Sequence, residues 1–183
     1  IPFDIKMETL LIGIDFNVMN CNAVVAVKDR DKLIVIDEII KQNDTDALAQ
    51  EIKRRYPNNK ILVYPDASGA ARSTINASKT DIAILQSYNF TSMALRSNPP
   101  IKDRVQTLQA LLENSKGWVR LAIHASCRRL IECLELQSYD EKSGDPDKQN
   151  GYDHLNDALG YLVYREFSII HAKAGRPTGI RIY

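Results

Sequence analysis

The chain has 183 residues, long enough for one domain with a full core. Its content of 44% hydrophobic and 26% charged residues is that of a soluble globular protein and excludes a disordered or low-complexity chain. With 24 Lys and Arg against 23 Asp and Glu the net charge is +1, so a nucleic-acid surface would have to be a local patch.

Three cysteines, Cys21, Cys127 and Cys133, form no CxxC pair. That argues against a disulfide framework and a zinc site and for a reducing compartment. No apolar run approaches the roughly 18–20 residues that span a bilayer, so no membrane is expected as a partner. The chain begins without Met and carries no signal peptide. Residues 1–8 read as a linker remnant, and the whole as a piece of a longer protein.

Residues 9–16, "TLLIGIDF", are a near-continuous apolar run ending in a charge, which predicts a strand covered on both faces. Residues 22–29 and 32–40 are β-branched runs joined by Asp29-Arg30-Asp31, which predicts an antiparallel hairpin and a three-strand meander. Asp44 or Thr45 can cap a helix that Pro57 stops. Residues 60–66, "KILVYPD", then form a strand, and the crossover helix implies that it runs parallel to an earlier one.

One or two short helices are expected over residues 68–88, and a strand over 90–95. After the break at "SNPP", residues 101–114 predict an amphipathic helix with Val105, Leu108, Leu111 and Leu112 on one face. A short strand over 117–124 precedes a helix that Ser126 can cap. Residues 138–151 have almost no apolar content and read as a mobile loop. Residues 152–167 predict a strong amphipathic helix, and 171–183 a basic flexible tail. The expected fold class is α/β. It has a mixed central sheet, an antiparallel meander plus parallel strands, with helices on both faces over residues 9–170: the ribonuclease H-like arrangement.

Within that topology Asp15 ends the first strand and Asp66 ends the strand at 60–64. If those strands are parallel neighbours, both carboxylates emerge at the edge where open α/β sheets carry their sites. Asp153 and Asp157 lie four residues apart on the closing helix, and Asp157 borders its apolar face. Two such charges at ~4 Å repel by about 4 kcal/mol at an effective dielectric near 20, so a divalent cation is the natural neutraliser. Oxygen-only ligands favour Mg²⁺ or Mn²⁺, and a two-ion site can hydrolyse a phosphodiester. The plainer roles are a helix cap for Asp66 and a turn for Asp15. For His154 the plainer role is a surface histidine on the exposed side of its helix, against an auxiliary role at a metal-bound water. Lys102 and Arg104, after the Pro-Pro break, are candidate phosphate contacts. Arg72 and Lys79 are candidates to line a DNA groove. The acidic loop at 138–151, just before Asp153, is expected to lie over the site and to hinder DNA entry.

The stretches "LLIGIDFNV", "ILVYPDASGAARS", "NPPIKDRVQTLQALLEN" and "YDHLNDALGYLVY" together resemble the C-terminal nuclease domain of the large terminase subunit of tailed bacteriophages. The resemblance implies a metal-dependent endonuclease that cuts concatemeric double-stranded DNA when packaging starts and ends, in the host bacterial cytoplasm. It implies Asp15, Asp66 and Asp157 as ligands, with Asp153 supporting a second ion. Implied partners are an N-terminal ATPase motor, the small terminase subunit and the procapsid portal. No GxxxxGK[ST] phosphate loop occurs, so the motor is not in this chain. Rival readings are a junction resolvase or integrase of the same fold, and a non-catalytic module that docks DNA or the portal. An actin-like sugar-kinase half lacks its Gly-rich turn in "DFNVMNCNA".

Overall fold

The apolar run near the start of the chain becomes strand β1 (Leu10–Asp15), every residue of which is buried. The computed structural model describes residues 5–17, 20–70, 80–141, 143–148 and 150–168. Strands β2 (Cys21–Asp29) and β3 (Lys32–Gln42) complete the expected antiparallel meander. Helix α1 (Thr45–Arg55) is capped by Asp44, whose side chain accepts from the Ala47 amide at 2.7 Å. It crosses to β4 (Ile61–Pro65), which pairs with β1 in parallel, as the crossover required. The remaining elements are α2 (Asp81–Ser87), β5 (Thr91–Ser92), α3 (Ile101–Leu112), β6 (Leu121–Ile123), α4 (Arg128–Leu136) and α5 (Asp153–Phe167). The six strands lie in the order β5-β4-β1-β2-β3-β6.

Alternation along β1 divides the core. Leu10, Ile12 and Ile14 face α1 and α2, among Leu48, Ile52 and Leu85. Leu11 faces the other side, with Leu108 and Leu111 of α3, Leu130 of α4 and Leu155, Leu159 and Leu162 of α5. A strand buried on both faces must be apolar throughout, which is why β1 shows no polar alternation. Gly13 shares the Leu11 face. A Cβ there would run into the Ala158 carbonyl oxygen, so glycine lets the α5 backbone sit directly on the strand. At the far end of α5, Glu166 accepts from the Tyr64 hydroxyl and from Lys28 Nζ, both at 2.7 Å, pinning the helix to β4 and β2.

Several expectations shift. The strands expected over 90–95 and 117–124 contract to two and three residues at the sheet edges. Ser126 does not cap α4; its hydroxyl lies 2.7 Å from His124 Nδ1. Glu38 of β3 instead takes the Arg129 and Leu130 amides at 3.0 and 2.7 Å. On α3 the buried face is Arg104, Leu108 and Leu111, whereas Leu112 is 38% exposed. Within the expected loop, Tyr139 bridges Pro146 and the Asp147 amide donates to Ser138 O at 2.9 Å. All three cysteines are free, and burial pushes each thiol up to about 11. Residues 5–7 of the expected linker form a 3-10 turn. The expected tail, 171–183, lies outside the described residues.

Two substitutions test this packing. Gly13→Ala is expected to cost about 3 kcal/mol or more, read by urea denaturation, because α5 must lift off the strand. Burial pushes the Glu166 carboxyl up, but the bonds from Lys28 and Tyr64 outweigh it and hold it below its ordinary 4.5. A lowered folded value means that the stabilisation is present above 4.5 and is lost as pH falls through the folded value. The penalty of Glu166→Gln should therefore be largest near neutral pH and fade in acid, read as urea midpoints across pH.

Candidate functional site

The parallel register of β1 with β4 ends at Ile14 opposite Pro65, and the Asp66 amide donates to the Ile14 carbonyl at 3.1 Å. Asp15 and Asp66 are thus the next residues of two neighbouring strands and leave the sheet at one edge. By the alternation of β1, Asp15 shares the face of Leu11 and Gly13, the face that α5 covers. The α5 turn resting on Gly13 carries Asp157 beside it. Tyr161, one turn further on, registers the convergence. Burial raises its hydroxyl well above the ordinary value, Arg104 opposes that rise, and the charges of Asp66, Asp157 and Asp15 all add to it.

Each acid is held differently. Asp15 is 8% exposed, and its Oδ2 lies 3.1 Å from His154 Nδ1. The Asn17 amide nitrogen sits 3.3 Å from His154 Nε2. The same Asn17 nitrogen lies 3.5 Å from Nδ1, and a proton on Nδ1 is shared with Asp15 Oδ2. That bond raises the His154 value; burial opposes the rise, and the charges of Asp153, Asp15 and Asp157 reinforce it. Asp66 Oδ1 accepts from the Ser68 amide at 2.7 Å and from Asn98 Nδ2 at 2.6 Å. The capping role weighed for Asp66 is therefore realised, at the 3-10 turn Ala67–Ala70. A Cβ on Gly69 in this turn would strike the Phe16 ring, so the turn packs against the residue that follows Asp15. Asp157 Oδ1 accepts from Arg104 Nη1 at 2.7 Å. Burial raises the Asp157 carboxyl and Arg104 opposes it; Asp15 adds to the rise and Lys148 works against it. Asp153 is 6% exposed, and its Oδ1 has no hydrogen-bond partner among the described residues.

Among the described residues no three His, Cys, Asp or Glu side chains are gathered tightly enough to hold an ion as they stand. The donor set nevertheless fits one. On Asp15, Asp66 and Asp157 the hydrogen bonds among described residues fall on a single oxygen each, leaving the second free for a hard cation. Buried Asp153 Oδ1 is a further acceptor in want of a donor.

His154 is not on an exposed face, as the plainer reading had it; its side chain is 25% exposed and turned to Asp15. Arg104 is 5% exposed and committed to Asp157, so the expected phosphate contact does not stand open on the surface. Lys102, at the start of α3, is exposed. Arg72 and Lys79 lie outside the described residues. From the loop at 138–151, Tyr139 and Pro146 line one cavity with Asp153 and Asp157, and the loop charge that acts on Asp157 is the cation Lys148. Asn98, Asn17 and Tyr161 were not singled out from sequence. The "SNPP" break was the one available signal for Asn98, since an Asn before two prolines is held in extended backbone.

No protein of curated function matches the chain. Solved structures do, with the fold in common. The nuclease domain of the P22 large terminase matches with TM-score 0.67 and 17% identity, over 93% of this chain and 89% of that one. The large terminase nuclease domain of bacteriophage SPP1 with bound Mn matches with TM-score 0.58 and 18% identity, over 87% and 88%. The large terminase of a thermophilic bacteriophage, in complex with ADP, matches with TM-score 0.67 and 16% identity, covering 93% of this chain and 41% of that one. This chain thus spans about two fifths of that longer protein. The family model described as the terminase RNaseH-like domain matches residues 12–166. With most of its length matched, and with the strand order and acidic edge described above, the chain belongs to the terminase RNaseH-like domain family.

Proposed function

We propose that this chain is the metal-dependent endonuclease of a DNA-packaging terminase, cutting concatemeric double-stranded DNA at the start and end of packaging. The observation that carries the reading is the convergence of Asp15, Asp66 and Asp157, from β1, the end of β4 and α5, on one sheet edge with one oxygen of each left over. Solved terminase nuclease domains of this fold hold Mn, Co or Mg.

In this reading Asp15, Asp66 and Asp157 would hold the divalent cations, with buried Asp153 a further acceptor for them. When bound, such ions activate the attacking water and stabilise the leaving oxygen of a phosphodiester. The chain's own work is to aim the carboxylates. His154 fixes Asp15 from one side, Ser68 N and Asn98 fix Asp66, and Arg104 fixes Asp157. Lys102 lies exposed at the start of α3, placed to meet a backbone phosphate. Nothing in this set reads a base edge, so cutting without sequence preference is expected. The ATPase motor, small subunit and portal belong to the longer protein in this proposal.

Supercoiled plasmid incubated with the purified chain and Mn²⁺ or Mg²⁺ should be nicked and linearised, and EDTA should stop it. Asp15→Asn and Asp66→Asn should each lower the rate by roughly a hundredfold or more. An Asp66→Asn variant that cuts as fast as wild type would overturn the assignment. If both proteins are inert, Mn²⁺ calorimetry decides: binding lost in the variant keeps the site, and equal binding removes it.

A further inference from the structure

We infer that Arg104 is a positioning residue for the Asp157 carboxylate and not a contact to the DNA backbone. The inference rests on the metal-nuclease reading above. A phosphate contact needs an exposed cationic head. Arg104 has a side chain only 6% exposed, and its Nη1 is spent on Asp157 Oδ1. Its guanidinium carbon stands 4.4 Å from the centre of the Tyr161 ring, so the plane is held on one side by a cation–π contact. Gly160 faces it, and a Cβ there would lie 3.6–3.7 Å from three Arg104 atoms. The Tyr161 ring and the α5 backbone at Gly160 thus flank the arginine, which lies along the helix.

Access from outside points the same way. Arg104 borders a cavity of about 190 Å³ whose walls also include Val105, Leu108, Asp153, Asp157 and Gly160. A phosphate entering there would lie against two carboxylates as well as the guanidinium.

The bond is to one oxygen. Arg104 thereby sets the rotation of the carboxylate, and so where the other oxygen, Oδ2, points. Hydrogen-bond partners outside a ligand shell orient a ligating carboxylate in this way, and loss of such a partner costs roughly 10–100-fold in metal affinity or activity. The geometry also explains why the α3 helix begins beside the site. Asn98, just before it, holds Asp66, and Arg104, in its first turns, holds Asp157. One helix start thus aims two of the three acids.

The test compares Arg104→Gln and Arg104→Lys with Asp157→Asn and wild type. Three readouts are used: Mn²⁺ calorimetry without DNA, plasmid cutting, and the salt dependence of DNA binding with Ca²⁺ in place of the active metal. Arg104→Gln should weaken Mn²⁺ binding about tenfold and lower kcat with KM for DNA nearly unchanged, because the loss lies in ligand orientation. Its slope of log K against log salt should equal wild type, whereas loss of a phosphate contact would reduce that slope by about 0.9. If Arg104→Gln does not fold, Arg104→Lys carries the test. Lysine serves a phosphate as a point charge, but it has no planar head to rest on the Tyr161 ring while donating to Asp157 Oδ1, so Mn²⁺ affinity should still fall. A lysine variant matching wild type in Mn²⁺ affinity and rate, or a reduced salt slope with Mn²⁺ affinity unchanged, would overturn the inference. Asp157→Asn binding Mn²⁺ like wild type would overturn the metal reading beneath it, a different result from failure of the Arg104 variants alone.

Discussion

Helix α5 lies on β1 with nothing between the Gly13 backbone and the Ala158 carbonyl. That contact sets the depth of the helix, and the depth sets the reach of every side chain near the acidic edge. Asp157 precedes Ala158 in the chain, and His154 lies one turn back, close enough to bond Asp15. The strand cannot give way, because its other face is locked by Leu10, Ile12 and Ile14 against α1 and α2. A second close approach, Gly69 against Phe16, couples the Asp66 turn to the residue after Asp15. Two missing side chains thus bring three chain segments to one point.

The charges of Asp15, Asp66 and Asp157 are managed by local partners, two of them at Asp66. Desolvation works against ionised carboxylates, as it does at Asp157, and the cation or amide beside each answers it. These partners come from four places: α3, the segment before it, the turn after β4 and the first turn of α5. The result is a set of separately held acceptors rather than a closed cage, and no tight cluster exists among the described residues.

Much of the fold was legible in sequence. The β1 run, the hairpin of β2 and β3 and the parallel return of β4 follow from apolar patterning and crossover rules. Asp15 and Asp66 were legible because strand ends are fixed by that same pattern, and Asp157 because a carboxylate stood among Leu155, Ala158 and Leu159. What patterning could not give are contacts between residues far apart in the chain. Period counting takes Val105 and Leu112 into the α3 face in place of Arg104, since it has no way to see that Asp157 waits across the interface to neutralise an arginine. Ser126 looked like a cap, but Glu38, 91 residues before Arg129, reaches the helix start first. His154 looked exposed because its partner is 139 residues away.

That separation bears on the order in which the molecule forms. The β2–β3 hairpin closes locally and fast, whereas pairing of β1 with β4 and docking of α5 must close long loops first. Asp15 exists from the start of the domain's synthesis, but Asp157 leaves the ribosome near its end, and only the last docking event brings it to the strand edge. A chain stopped short of α5 therefore carries Asp15 and Asp66 without Asp157. If the acids form the proposed centre, its division between β1 and α5 is its own safeguard, since no folding intermediate lacking α5 can assemble it.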